Sequence, residues 1–195
     1  GRGDMDLSQA QAASDALGEA PRTNFGYEVD SATDEYINMP MDTLDDTSEN
    51  DFAVNEGENA SIVEVDGKNA LQLNGGTSYI TTGLETAGLG NDLRVKVKRT
   101  SDTDDQILFE SPYGSIKAVQ GDTGKVGFSR EEYDFSFNYT LPVNEWVELE
   151  FKNQQNVIEL YVNGSLVDTL GDDERIEGRP MLATGMFPMA TIGSE

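Results

Sequence analysis

The stretch Glu145-Trp146-Val147-Glu148-Leu149-Glu150-Phe151-Lys152 decides the fold class. Val147, Leu149 and Phe151 fall on one side of an alternation, and Glu148, Glu150 and Lys152 on the other. A period of two over this length describes a strand with one buried and one wetted face. After residues 153–156, Ile158, Leu160 and Val162 resume the alternation and run into Asn163-Gly164. Asn-Gly readily supplies the two positive-φ residues of a type I′ turn, so residues 157–170 read as a tight hairpin. Three antiparallel strands in a row make this a β protein.

Upstream, turn signals recur every 8–12 residues from residue 61, the spacing of a sandwich. Ile62 to Val65 meets Asp66-Gly67, and Ala70 to Leu73 meets Asn74-Gly75-Gly76. Leu93, Val95 and Val97 point inward while Arg94, Lys96 and Lys98 point outward. Outward cations want acidic neighbours, and Glu148 and Glu150 have the matching parity. The two strands are therefore predicted to lie side by side as an exposed charge ladder, each pair contributing a few tenths of a kcal/mol. Tyr133, Phe135, Phe137 and Tyr139 alternate with Asp134, Ser136 and Asn138, as a central strand with an aromatic core face would. Trp146, Leu149, Phe151, Leu160, Val162, Phe135 and Phe137 are the expected core. Residues 181–192 are expected to close the chain as one or two apolar strands.

Ahead of the sandwich, residues 4–18 carry the one helical pattern, with Asp6 or Ser8 as cap, a Leu7, Ala10, Leu17 stripe, and Gly18 and Pro21 as stop. The chain thus divides into 1–21, a helical linker or the end of a preceding domain; 22–60, a polar lead-in with short strands near Tyr36-Ile37 and Phe52-Ala53-Val54; and 61–195, the β domain.

Composition excludes more than it assigns. Thirteen Lys and Arg against 37 Asp and Glu give a net charge of −24, which repels phosphate backbones and anionic bilayers. Neither nucleic acid nor a membrane is an expected partner, and no apolar run approaches the ~20 residues of a spanning helix. There is no Cys and no His, which removes disulfide scaffolds, His-based triads and nearly all zinc sites. The oxygen-rich run from Asp45 to Asp51 lacks the central Gly and closing Glu of a calcium loop and reads as a solvated loop. No cofactor and no metal is expected; calcium has no motif behind it.

Paired carboxylates are the remaining catalytic option. A sandwich glycosidase sets its two carboxylates on alternate residues of one strand face. Glu148 with Glu150, and Glu64 with Asp66, have that parity. The Glu-x-Asp-x-x-Glu signature of jelly-roll glucanases fails at Asn69, so these are read as solvated surface groups and no catalytic residue is assigned. For carbohydrate binding, the candidates are Arg130, Asp134, Ser136 and Asn138 as hydrogen-bonding groups, with Tyr113 or Tyr133 as stacking platform.

Leu141-Pro142 followed by Trp146-Val147-x-Leu149, and then Leu160-Tyr161-Val162-Asn163-Gly164, resembles the laminin-G-like branch of the concanavalin A-like lectin/glucanase superfamily. Residues 70–80 are similar to the early strand pair of that branch. Within it, Ile107 to Ser111, Lys117 to Gln120, Thr123 to Arg130 and Phe135 to Pro142 look like the module appended to bacterial glycoside hydrolase family 20 β-N-acetylhexosaminidases. The resemblance implies a two-sheet antiparallel jelly roll over residues 61–192, in a non-catalytic accessory module of a secreted bacterial enzyme. The module is expected mainly to brace that enzyme, its partner being the catalytic domain of the same polypeptide, with glycan binding as the secondary role, outside the cell or on its surface. The catalytic Asp-Glu pair of family 20 is absent, and the family's strand after Ile-Gly-Ser is cut at Glu195, so the sheet is expected to lack an edge. The competing expectation is a free-standing hydrolase of the jelly-roll glucanase type.

Overall fold

The structure, a computed structural model, describes residues 23–26, 35–84, 86–87, 92–102, 106–112, 114–130, 133–154, 157–171, 187–188 and 190–194. The helix expected over 4–18 lies outside the described residues, as does the 181–186 part of the closing stretch expected over 181–192, whose described part contains two short strands. Within them the chain is all β. In order, the strands are Thr23–Gly26 (β1), Glu35–Asn38 (β2), Asn55–Glu58 (β3), Ala60–Val65 (β4), Lys68–Leu73 (β5) and Ser78–Thr81 (β6). Then come Thr86–Ala87 (β7), Asp92–Lys98 (β8), Gln106–Ser111 (β9), Gly114–Val119 (β10), Gly127–Arg130 (β11) and Tyr133–Ser136 (β12). Trp146–Gln154 (β13), Val157–Val162 (β14), Ser165–Gly171 (β15), Phe187–Pro188 (β16) and Thr191–Ser194 (β17) complete them.

One sheet has the order β15-β14-β13-β8-β1-β2 and the other β12-β11-β10-β9-β17-β6-β3; β4 pairs with β5 and β7 with β16 as two-stranded ribbons. Every one of these pairings is antiparallel. The 145–152 stretch behaves as its alternation predicts, since β13 is flanked on both sides by antiparallel partners, β14 and β8. At the hairpin tip Asn163 and Gly164 take φ of 50° and 88°, the pair of left-handed residues a type I′ turn requires. Asn163 also closes the ladder: its Oδ1 accepts the Glu148 N–H and its own N–H donates to the Glu148 carbonyl, each at 2.9 Å.

The two large sheets face each other across one apolar core, which makes the molecule a β-sandwich. Leu93, Val95, Val147, Leu149, Phe151 and Leu160 come from the first sheet; Ile80, Phe109, Ile116, Phe128 and Ile192 come from the second. Phe151 bridges the layers, with its ring centroid 5.5 Å from Phe128 and 6.0 Å from Phe137. Phe128 and Phe137 meet edge to face at 5.7 Å. Tilted aromatic packing of this kind adds to the area these rings bury.

Several sequence expectations need correction. Val162, expected in the core, is partly buried against it. Residues 52–54 form no strand; the strand begins at Asn55, where chain pairing with β6 becomes available. The aromatic strand is an edge of the second sheet, not a central one. Phe135 and Phe137 are nevertheless buried, because their side of that edge faces the core. Trp146 is half-buried rather than core. Its parity groups it with Glu148 and Glu150, whereas Val147, Leu149 and Phe151 fill the interior.

Candidate functional site: two polar sheet faces

The first polar surface is the one formed by β11, β12 and the residues that follow. Arg130 pairs with Tyr133 in the register of these strands, and their side chains lie outside the described residues, as does Tyr113. Asp134 and Asn138 are exposed and Ser136 is half-buried. Each of the three is already engaged within the protein. Asp134 accepts the Ser129 hydroxyl at 2.5 Å. Ser136 bonds both the Thr123 hydroxyl, at 2.9 Å, and the side-chain oxygen of Gln120. Asn138 Oδ1 accepts Lys125 Nζ at 2.7 Å, and its backbone N–H donates to Asp168 Oδ2 at 2.7 Å. The geometry sets Asp134, Ser136 and Asn138 on one polar surface, each bonded to other groups of the protein.

The second polar surface is the side of the first sheet that faces away from the core. Cross-strand register places Arg94 opposite Glu150, Lys96 opposite Glu148, and Lys98 opposite Trp146. The predicted adjacency of the two strands is therefore present. Its centre, however, is not an exposed ladder: Arg94 is 1% and Glu150 6% exposed. Arg94 Nη2 lies 2.8 Å from Glu150 Oε2, and its Nε 3.9 Å from Glu148 Oε1. Buried charges of this kind persist only when paired, since desolvation costs several kcal/mol per ion. Alternation assigns a side chain to a face but says nothing of how far that face is from water. Further along, Tyr161 stands opposite Glu150, and Lys152 Nζ lies 4.9 Å from the Tyr161 ring centroid. Desolvation raises the Tyr161 phenol above its ordinary pKa, and the neighbouring Glu159 carboxylate adds to it.

At one corner of this face the β4–β5 hairpin reaches over. Asp66 and Gly67 at its tip have φ of 53° and 83°. The Trp146 indole Nε1–H donates to Asp66 Oδ2 at 3.0 Å, and Lys98 Nζ reaches the same oxygen at 3.3 Å. Lys98 Nζ also lies 5.8 Å from the centroid of the indole, within reach of a cation–π attraction. The indole hydrogen bond first, and Lys98 second, hold the Asp66 carboxyl below its ordinary pKa. Sequence reading missed this corner. The one available signal was parity: counting back by twos from Glu150 puts Trp146 on the polar face.

These placements bear on chemistry. A glycosidase pair needs both carboxyl groups free to reach one bond in the substrate. Glu150 is instead buried against Arg94. Asp46 is similarly committed in the polar lead-in: it is 4% exposed and its carboxylate accepts the Ser48 N–H, the Ser48 hydroxyl and the Phe52 N–H at 2.8–2.9 Å. That carboxylate organises the loop expected to be merely solvated. Among the described residues no cluster of His, Cys, Asp or Glu is arranged to hold a metal ion.

Neither a family model nor a curated protein sequence matches this chain. Among solved structures, the chain is similar to domain 4 of AbnA, a GH43 extracellular arabinanase from Geobacillus stearothermophilus, solved in complex with arabinotriose. The match has a TM-score of 0.54 and 20% identity, and covers 77% of each chain. At that identity the likeness is one of fold: this chain has the β-sandwich architecture of a module found in a carbohydrate-active enzyme.

Proposed function

We propose that this chain is a non-catalytic module of a secreted glycoside hydrolase, packing against the catalytic part of the same polypeptide and presenting a carbohydrate-binding face. The observation that carries the non-catalytic half is the Arg94–Glu150 pair. The carboxylate that would complete a strand-borne acid–nucleophile pair is held at 2.8 Å by a buried guanidinium. The carbohydrate half is supported by the shared fold with an arabinanase domain crystallised with a trisaccharide. An extracellular setting accords with that neighbour and with a strongly acidic chain lacking Cys. In its finer form the proposal is a concanavalin A-like jelly roll appended to a bacterial β-N-acetylhexosaminidase, on the strength of the motifs between residues 107 and 142.

Two assays test it. Chromogenic N-acetylglucosaminide and β-glucan should both be left intact by the isolated chain. Turnover of either, abolished in Glu148→Gln or Glu150→Gln, would make it a hydrolase in its own right. Calorimetry against arabinotriose and N-acetylglucosamine-terminated oligosaccharides should show binding, and heat from the first but not the second would favour an arabinan-degrading parent.

A further inference from the structure

We propose that the corner where Asp66 meets Trp146 and Lys98 is a binding site for a neutral saccharide residue, an assignment that rests on the carbohydrate-module reading above. A sugar site needs an aromatic platform for the C–H face of the ring and a few fixed polar groups for its hydroxyls. Trp146 is an aromatic on the polar side of the sheet, half-buried where it packs against the edge of the core, with Lys98 Nζ 5.8 Å from its ring centroid. Its orientation is set before any ligand arrives. The indole N–H is tied to Asp66, a residue 80 positions away on another hairpin. Preorganisation of that kind lowers the ordering cost of binding.

The polar groups beside the ring have the right chemistry. Both internal donors go to Asp66 Oδ2, so Oδ1 is the acceptor offered to a sugar hydroxyl, on a side chain 57% exposed. Lys98, 23% exposed, supplies a flexible ammonium donor on the same side. Asp66 with Lys98, and Glu148 opposite Lys96 in the next register position, balance one another in charge. A carboxylated sugar would meet no net positive field here, in a chain of net charge −24, so the expected ligand is neutral.

Trp146 is the chain's single tryptophan, so its emission reports this corner alone. Arabinotriose, chitotriose and a glucuronate-containing oligosaccharide are titrated while that emission is followed, with calorimetry in parallel. A neutral oligosaccharide should shift the emission saturably, and Asp66→Gly should weaken its binding at least about tenfold. Glycine suits the left-handed backbone at position 66, so that variant removes the carboxylate while sparing the turn. Trp146→Phe, which keeps a ring but loses the N–H that orients it, should lose part of the affinity measured by calorimetry, and Trp146→Ala should lose it all. Calorimetric binding unchanged in both Asp66→Gly and Trp146→Ala, or lost in Asn138→Ala instead, overturns this site and leaves the module reading standing. Tighter binding of the glucuronate oligosaccharide overturns the neutral class. No binding of any probe by the unaltered chain overturns site and module reading together.

Discussion

The Asp168 carboxylate accepts the backbone N–H of Asn138 at 2.7 Å, and the two residues belong to opposite layers of the sandwich. Asp168 lies on β15, the edge of the first sheet; Asn138 follows β12, the edge of the second. A register shift delivers the contact. Leu160 pairs with Asp168 but Tyr161 with Leu166, so Val167 is an extra residue that bends the edge strand. The bulge also protects an edge bearing exposed Leu166 and Val167 from straight strand addition.

That clasp is half in water, so its removal should be modest. Asp168→Ala is expected to cost about 1 kcal/mol, the usual net value of such a bond, and Asp168→Asn less because an acceptor remains. Urea midpoints at unchanged m-value measure it. Equal losses in the two variants would show that the contact contributes through charge alone.

The Arg94–Glu150 pair should behave quite differently from the surface ladder its sequence suggests. Removing one partner leaves the other charged and buried, so Arg94→Met is expected to destabilise by about 3–5 kcal/mol. Arg94→Met combined with Glu150→Leu should recover much of that loss. A single variant within about 0.5 kcal/mol of the parent would place the pair in solvent.

How much of this was legible in the sequence depended on what each pattern encodes. Period-two alternation gave β13 and β8, and their matching parity and opposite charges gave their adjacency, because faces follow directly from parity; the register that sets Glu150 opposite Arg94 does not. The Asn-Gly and Asp-Gly turns were legible because left-handed backbone selects so few residues. The burial of Arg94 was not, since it depends on tertiary surroundings that alternation does not record. Trp146 was misplaced because its hydrophobicity was allowed to outweigh its parity. The contact between Asp66 and Trp146 joins hairpins far apart in sequence, and no local pattern announces it.

Phe151 touches rings of the opposite layer and is fully buried, so Phe151→Ala should cost about 3–5 kcal/mol. Trp146→Ala, which removes a half-buried side chain, should cost clearly less. Melting temperatures of the two variants compare them directly, and a larger drop for Trp146→Ala would return the indole to the core.

Gly127 is a tighter constraint than its place near a strand start suggests. A Cβ there would run into the Phe135 carbonyl oxygen and the side chain of Gln120. Neither can move away easily: one is backbone, and Gln120 is fully buried with its Nε2 donating to the Phe128 carbonyl at 2.8 Å. Gly127→Ala is expected to cost on the order of 1–3 kcal/mol. Hydrogen exchange should locate the damage, with protection falling in β11 and β12 and kept in β13 and β14.

Acid titration tests the Asp66 corner without any ligand. The folded-state pKa of Asp66 is depressed below the usual 3.8, by the Trp146 hydrogen bond first and by Lys98 second. For a depressed acid, the stabilisation is fully present above the unfolded pKa and is lost as pH falls through the folded one. This contact should therefore hold unchanged from neutral pH down to about 4 and weaken only below that. Asp66 is exposed, so the observable of choice is local: the Trp146 indole N–H resonance, which should titrate with a midpoint under 3.8. Lys98→Met should raise that midpoint part of the way, because it removes the second cause and spares the first. Trp146→Phe, followed through the Asp66 side-chain carbons, should raise it further. An indole resonance that titrates at or above 3.8, or that ignores Lys98→Met, would mean that Asp66 does not hold the ring.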